Sequence, residues 1–374
     1  MSVRNDRTQH LSIAELKLIK VHNEGQPIRL LLLFFCFFWQ HSFYGKVEAK
    51  LRNSVLTRGT LAVMFAFFPV FATAAAAPGT MAASVVPPGS ERALLQQVAK
   101  IYQAQPVNAR IDPVWKLIPA LNGASLNVPK TLVGWNKKDP LTTPLVFDQV
   151  PATVATDAFV APIYRGNPMK RQMALMFNVA WGEDYLPKIL TTLKQYHVKA
   201  TFFIDGKWAS THQSQLREIA KAGMELGNHG YRHHLFGSLA KAQMQTDLTL
   251  TNTIVQNVTG ITPVLFAPPA GDYNALAVKV ASTLGMKTVL WTVDTVDWRR
   301  PQPEVIAMRV LMKKSPGALV LMHPTAPTAA ALPVLIDNLQ KAGYQLVSVS
   351  DLLSPTRSLP KILKEALASL RSSQ

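Results

Sequence analysis

The chain contains little cysteine and few charged residues. Its 374 residues include one cysteine, Cys36, which excludes a disulfide framework and a zinc site built from two or more cysteines. Any metal must therefore be held by histidine, aspartate or glutamate. Charged residues make up 16% of the chain and apolar residues 48%, which excludes a disordered chain. The composition, with 8% aromatic residues and 26 scattered prolines, also excludes a coiled coil and collagen.

Acidic residues are scarce relative to basic ones. The chain has 39 lysines and arginines against 22 aspartates and glutamates, a formal net charge of +17. Such a charge attracts nucleic acid, an anionic membrane or an anionic cell-wall polymer, and does not discriminate among them. We expect no nucleic-acid partner, because the sequence has no basic motif with interleaved aromatic residues and carries an export signal.

Long apolar runs are confined to the first 77 residues. The run at residues 30–39 is too short to cross a bilayer, which needs about 20 residues. Residues 47–76 combine a basic segment, an apolar centre and small residues, the three parts of a secretory signal peptide. An uncleaved membrane anchor at residues 59–77 is the alternative, and would be the only membrane contact. Either interpretation predicts an extracellular or cell-wall-associated protein.

The remaining boundaries follow from composition. Residues 1–46 are too many for an ordinary signal peptide, so we interpret them as an extension upstream of the true start, with Val47 as the candidate first residue. Residues 77–91 are rich in proline, glycine and serine and predict a linker. Residues 92–162 begin with a helical pattern that prolines then interrupt, which predicts a small irregular region. Residues 356–374 form a C-terminal tail.

Residues 163–355 alternate strand-like and helical segments. The continuous apolar run at 173–179 is typical of a strand buried on both faces. Further strand-like runs lie at 200–204, 264–266, 288–292, 318–322 and 344–349, and helical patterns at 186–196, 216–222 and 239–258. This order predicts an α/β fold of about seven units, either a barrel or an open doubly wound sheet. In both, the chemistry lies at the carboxyl ends of the strands.

Unusual polar residues follow several of these strands. His229 and His233 are four residues apart, so on a helical turn both rings would face one divalent metal such as zinc. A solvated or capping histidine cluster is the alternative. Asp297 and His323, at two other strand ends, add an orienting carboxylate and a proton donor.

Five segments, in order, resemble the polysaccharide deacetylases of the NodB-homology type, carbohydrate esterase family 4. The resemblance covers about residues 163–355, and is strongest to sporulation-associated members from spore-forming bacilli, which share the text of residues 108–123. It implies a distorted (β/α) barrel preceded by the small irregular region. It also implies a divalent metal, usually zinc, and removal of N- or O-acetyl groups from a cell-wall glycan, peptidoglycan or chitin-like.

The resemblance also implies roles for individual residues. His229 and His233 match the metal ligands, His323 the general acid, Asp297 the carboxylate that orients it, and Trp298 a wall of the substrate groove.

Three further residues in these motifs are candidates. Leu321 and Pro269 are expected to contact the substrate. Asp294 is a second candidate for the orienting carboxylate, although a cap at the end of a strand accounts for it better. Trp181, Trp208 and Trp291 also supply aromatic faces of the kind on which sugars stack, but most of these three are expected in the core.

Three positions depart from the family pattern. Asn178 stands where the family has its general base, Val179 where it has the third metal ligand, and Ala267 where an arginine pairs with the base. An amide is no base near neutral pH, and valine binds no metal. The losses are consistent with one another, because without the base carboxylate the arginine would be a buried unpaired charge.

Glu183 and Asp184 lie a few residues beyond the strand that holds Asn178. Either carboxylate could fold back as a substitute base or ligand, and the alternative is a cap on the following helix. The cap is favoured for Asp184, and for Glu183 both possibilities stay open.

The sequence leaves two functions in competition. One is an exported, metal-dependent polysaccharide deacetylase of reduced activity, which family membership and the retained general acid favour. The other is a non-catalytic protein that binds wall polysaccharide on a deacetylase scaffold, which the three losses favour.

Overall fold

The computed structural model describes residues 89–371, without the side chains of residues 369–371. As the prolines predicted, the part before residue 163 is irregular. Its elements are α1 (Glu91–Tyr102), β1 (Arg110–Asp112), β2 (Lys116–Ile118), β3 (Gly123–Leu126), α2 (Val128–Val133) and β4 (Phe147–Val150). The strands form two separate antiparallel pairs, β1 with β2 and β3 with β4. The proposed upstream extension at residues 1–46 and the signal peptide or membrane anchor at residues 47–77 lie outside the described residues. Of the proposed linker, only residues 89–91 are described.

A curled parallel sheet forms the centre of the structure. Its strands are β5 (Gln172–Val179), β6 (Thr201–Ile204), β7 (Glu225–Asn228), β8 (Leu265–Phe266), β9 (Lys287–Thr288), β10 (Val293–Asp294), β11 (Leu319–Met322) and β12 (Gln345–Leu346). Seven follow one another in the order β10-β11-β5-β6-β7-β8-β9, and β12 pairs with the beginning of β5. The predicted distorted (β/α) barrel of about seven units is confirmed.

Helices alternate with these strands along the chain. They are α3 (Leu186–Gln195), α4 (Gly206–Thr211), α5 (Gln213–Lys221), α6 (Lys241–Thr259), α7 (Ala275–Thr283), α8 (Pro303–Lys313), α9 (Ala326–Lys341), α10 (Val349–Leu353) and α11 (Leu363–Arg371). Their ends follow local sequence: Asp205 accepts a backbone hydrogen bond at the start of α4, and α6 ends at Gly260 in the left-handed conformation. Among the described residues, no helix is long and apolar enough to cross a membrane.

The two faces of β5 bury different side chains. Phe177 and Val179 belong to the outer core between sheet and helices, whereas Ala174 and Met176 belong to a second cluster on the inner side of the sheet. Side chains alternate along a strand, so Asn178 lies on the inner side and Val179 on the outer. This alternation decides which residue at the end of β5 reaches the site.

Two strand predictions were too long. The run at 288–292 contains only the end of β9, because the backbone N–H of Leu290 and the hydroxyl of Thr292 donate to the carbonyls of Ile163 and Tyr164. The run at 344–349 ends as a strand at Leu346, since the Ser348 side chain caps α10.

The predicted tail contains the helix α11. Leu363 and Ala366 on α11 lie in one hydrophobic cluster with Leu95 and Val98 on α1. The two ends of the described chain therefore pack together.

Candidate active-site cleft

A cleft of about 420 Å³ lies at the carboxyl ends of the parallel strands. Its lining residues are Asn178, Ala180, Trp181, His229, His233, Ala270, Trp291, Asp294, Trp298, Leu321 and His323. It thus brings together the two predicted metal ligands, the predicted general acid and two of the predicted substrate contacts.

His229 and His233 come together without a helix. Their ring centroids are 5.2 Å apart, with the planes at 72°. His229 directly follows β7, and Arg232 and His233 both have left-handed backbone conformations, with φ of 60° and 54°. The predicted proximity is therefore correct, but the predicted helical turn is wrong, because a tight turn with two left-handed residues reverses the chain instead.

The hydrogen bond of His229 fixes its tautomer. Nδ1 lies 2.7 Å from the carbonyl oxygen of Ala267, which only accepts, so Nδ1 carries the proton and Nε2 has a free lone pair. Burial lowers the pKa of His229 to about 3, with a further contribution from His233. Burial also lowers the pKa of His233. Both rings are therefore neutral at pH 7.

Asp205 holds the turn that carries His233. Its Oδ2 accepts the backbone N–H of His233 at 2.8 Å, and its Oδ1 accepts that of Trp208 at 2.9 Å. The sequence analysis missed this residue. Asp205 directly follows the strand-like run at 200–204. Other site residues also follow predicted strands, so this position could have identified Asp205 from the sequence.

Asp297 and His323 form a tightly bonded pair. The buried carboxylate of Asp297 accepts the Nδ1–H of His323 at 2.8 Å, its backbone N–H at 2.6 Å and the Thr328 hydroxyl at 2.7 Å. His323 thus has a fixed ring orientation, and Nε2 is the nitrogen left for a ligand. The sequence analysis did not single out Thr328.

The three departures from the family pattern are all buried. Asn178 lines the cleft, and its Oδ1 has no hydrogen-bond partner. Val179 packs in the outer core, as its place on β5 requires. Ala267 lies in the inner cluster, where its carbonyl serves His229.

Glu183 does not line the cleft. Its Oε2 accepts the indole N–H of Trp208 at 3.3 Å, and its Oε1 lies 3.7 Å from Nε2 of His212. Hydrogen bonds from its own backbone N–H and from the Trp208 N–H lower the pKa of the Glu183 carboxyl group. A substitute general base would need a raised pKa, closer to neutral pH. Asp184 is exposed and caps no helix through its side chain.

Two partly exposed tryptophans line the cleft together with His323. Trp298 is 48% exposed, with the Arg299 guanidinium 4.7 Å from its ring centre. Trp181 is 38% exposed and stacks on the His323 ring, with centroids 5.8 Å apart and planes within 2°. Of the three tryptophans expected mostly in the core, only Trp208 is fully buried, whereas Trp291 is partly buried and lines the cleft together with Trp181.

The two remaining predicted substrate contacts differ. Leu321 is buried and lines the cleft. Pro269 is buried but does not line it, and the next residue, Ala270, does so with a left-handed backbone.

The residues of the cleft do not complete a zinc site. His229 and His233 are neutral and close together, as two ligands should be, but Val179 occupies the third ligand position and lies in the outer core. Asp294 also lines the cleft and accepts the backbone N–H of Val296. Nevertheless, residues 89–371 contain no group of three or more histidine, cysteine, aspartate or glutamate side chains placed to hold a metal.

Known proteins are similar to this chain in sequence and in fold. The family model described as polysaccharide deacetylase matches residues 165–289. The peptidoglycan N-acetylmuramic acid deacetylase PdaA of Bacillus subtilis is 31% identical over 202 residues, which cover 53% of this chain and 75% of that protein. The chain belongs to the polysaccharide deacetylase family. The uncharacterized protein YlxY of B. subtilis is 41% identical over 267 residues, which cover 71% of this chain and 84% of that protein.

A solved structure adds a member of this family that is described as lacking activity. It is a carbohydrate esterase family 4 pseudoenzyme from Bacillus anthracis, with 39% identity and a TM-score of 0.67, covering 71% of this chain and 96% of that one. A mutant of such a pseudoenzyme, described as having restored enzymatic activity, has 37% identity and a TM-score of 0.66, covering 71% and 99%.

Proposed function

We propose that this polysaccharide deacetylase family member binds an N-acetylated cell-wall glycan in its cleft without removing the acetyl groups. The observation that carries the proposal is the end of β5, where an amide and a buried valine replace the base and the third metal ligand. No metal-activated nucleophile is expected from two histidines alone. The similarity to a family pseudoenzyme supports the same conclusion.

The walls of the cleft suit a sugar chain. The exposed rings of Trp181 and Trp298 offer flat apolar faces for pyranose rings. Nε2 of the neutral His229 ring and Nε2 of His323 are both left for hydrogen bonds to a ligand. The relatives named as peptidoglycan deacetylases support a bacterial wall glycan as the ligand class, and the predicted signal peptide at residues 47–76 supports a location outside the cell.

A slow metal-dependent deacetylase is the second candidate. The Asp297–His323 pair favours it, because a binding protein has no need for a general acid held by two hydrogen bonds to a carboxylate that Thr328 also orients. In that case His323 protonates the leaving amine, and Asp297 keeps its ring oriented. Glu183 is too engaged with Trp208 and His212 to be carried forward as the base.

Binding of an N-acetylglucosamine tetramer to the full chain tests the proposal. We expect Trp298→Ala to weaken binding about tenfold, the loss of roughly 1.4 kcal/mol of ring contact, while Trp298→Phe keeps most of it. Calorimetry measures the affinity, and acetate is assayed in the same samples. No binding by the unsubstituted chain, or release of acetate with turnover, would contradict the proposal.

A further inference from the structure

A second cavity, of about 460 Å³, lies at the opposite end of β5 from the cleft. Residues 169–172, at the start of β5, form one wall of it, whereas the cleft residues Asn178, Ala180 and Trp181 lie at the other end of the same strand. Eight strand residues span roughly 25 Å, so the two cavities are separate. We call this second cavity the lower groove. Its other walls are residues 101–104, Leu121, Gly343, Gln345 and residues 357–359.

Basic side chains dominate the charge of the lower groove. Lys170, Arg171 and Arg357 line it, and no acidic residue does. Among residues 89–371, none of the three forms an ion pair. All three donate instead to backbone carbonyls. Lys170 donates to the carbonyls of Asp351, Leu352 and Ser354. Arg171 donates to that of Ala342, and Arg357 donates to those of Asn122 and Gln105.

The two arginines lack a compensating anion. Burial lowers the pKa of Arg357, and no neighbouring carboxylate opposes this effect. Lys170 differs, because burial lowers its pKa to about 8 while Asp351 acts in the opposite direction. A partly buried cation without a partner is unfavourable, and a bound anion would remove that cost. Arg171 is exposed at the mouth of the same groove, with further guanidinium donors to offer.

The lower groove is larger and more apolar than a site for a small inorganic anion. Tyr102 and Met169 supply apolar area, and Gln103 and Ser358 supply hydrogen-bonding groups. A volume in this range accommodates an organic ligand, and the mixture of an apolar face with scattered polar groups matches a sugar ring.

We propose that the lower groove binds an acidic building unit of a wall polymer, with its acidic group on Arg171 and Arg357 and its carbon skeleton against Tyr102 and Met169. Guanidinium groups recognise carboxylate and phosphate oxygens in a bidentate manner. The acidic group has two sources in a wall, a carboxylated amino sugar and a polyol phosphate. The lower groove does not depend on the cleft, but two sites on one chain raise the avidity for a polymer that reaches both.

Calorimetric titration of the full chain carrying Trp298→Ala tests the lower groove. This substitution weakens ligand binding in the cleft, so that the lower groove accounts for more of the measured binding. The probes are N-acetylmuramic acid, glycerol 1-phosphate and the neutral N-acetylglucosamine. We expect an acidic probe to bind more tightly than the neutral one and more weakly as salt is added. Adding Arg171→Gln should weaken that binding about tenfold, the effect of losing one charge-assisted contact. Arg217→Gln on α5, also an exposed arginine, is the matched control and should change nothing.

The outcomes separate the sources and the two proposals. Arg171-dependent binding of N-acetylmuramic acid assigns the carboxylated sugar, and the same result with glycerol 1-phosphate assigns the polyol phosphate. Binding of neither acidic probe would overturn the proposal, as would equal losses in Arg171→Gln and Arg217→Gln. Because the tetramer is titrated separately into the unsubstituted chain, failure of the cleft proposal would leave this result unaffected.

Discussion

At the scale of the residue, the end of β5 determines what the cleft can do. Asn178 faces the cleft with an amide that neither takes up a proton near neutral pH nor carries a charge. Ala267 is consistent with this, because a buried arginine beside a neutral amide would lack its counter-charge. Val179 lies on the outer face of the strand and provides no ligand atom for a metal. The site is thus neutral where the family pattern has charges.

The neutral His229 predicts an acid-sensitive stability. Its pKa is about 3 in the folded chain against an ordinary value of 6.5, so above pH 6.5 both states are neutral. Below that pH the unfolded chain takes up a proton that the folded chain does not. The free energy of unfolding should therefore fall by up to about 1.4 kcal/mol per pH unit as the pH drops toward 3. Urea unfolding between pH 7 and pH 5 measures this slope.

His229→Gln is the control for this prediction, because it removes the titrating group while keeping a polar side chain. Its unfolding free energy should depend less on pH over the same interval. Parallel pH profiles for the two chains would show that His229 titrates normally in the folded state.

At the scale of the element, glycine conformation brings the ends of two strands together. Gly182 follows β5 with φ of 87°, and a Cβ atom there would collide with the carbonyl oxygen of Pro324, next to His323. The close approach places Trp181 against the His323 ring. Gly260, at the end of α6, has φ of 77° but open space around it.

Gly182→Ala should therefore cost more stability than Gly260→Ala. Both place alanine in the left-handed region, at about 1 kcal/mol, but only the first adds a backbone collision of roughly 1–3 kcal/mol. Gly182→Ala should also weaken binding of the tetramer, because Trp181 moves with the loop. Urea unfolding and calorimetry measure both effects. Equal destabilisation by the two substitutions would refute the role assigned to Gly182.

Helices and strands were predictable from the sequence where the local residue pattern fits only the structure that the fold requires. The apolar run of β5 and the glycine that ends α6 each determine one structure. The spacing of His229 and His233 did not, because a separation of four residues fits both a helical turn and the observed left-handed turn. The places of Trp181 and Glu183 depend on contacts with His323 and Trp208, which are distant in sequence and leave no local pattern.

At the scale of the whole molecule, a catalytic scaffold is retained while its chemistry is incomplete. The curled sheet still collects Trp298, His229 and His323 at one end, and the lower groove lies at the other. A fold of this kind supports binding as readily as catalysis, so function must be argued from the site. Basic residues outnumber acidic ones, with a formal net charge of +17 for all 374 residues, and this excess suits an acidic wall polymer as the ligand of both cavities.

Zinc content and acetate release, measured together on the full chain, test the central claim most directly. The chain is dialysed after exposure to zinc, with His229→Ala/His233→Ala beside it and the related N-acetylmuramic acid deacetylase as positive control. We predict that the unsubstituted chain retains far less than one zinc per molecule and releases no acetate from acetylated peptidoglycan fragments. One zinc per chain that is lost in the double variant, together with acetate release, would contradict the account and establish a working deacetylase.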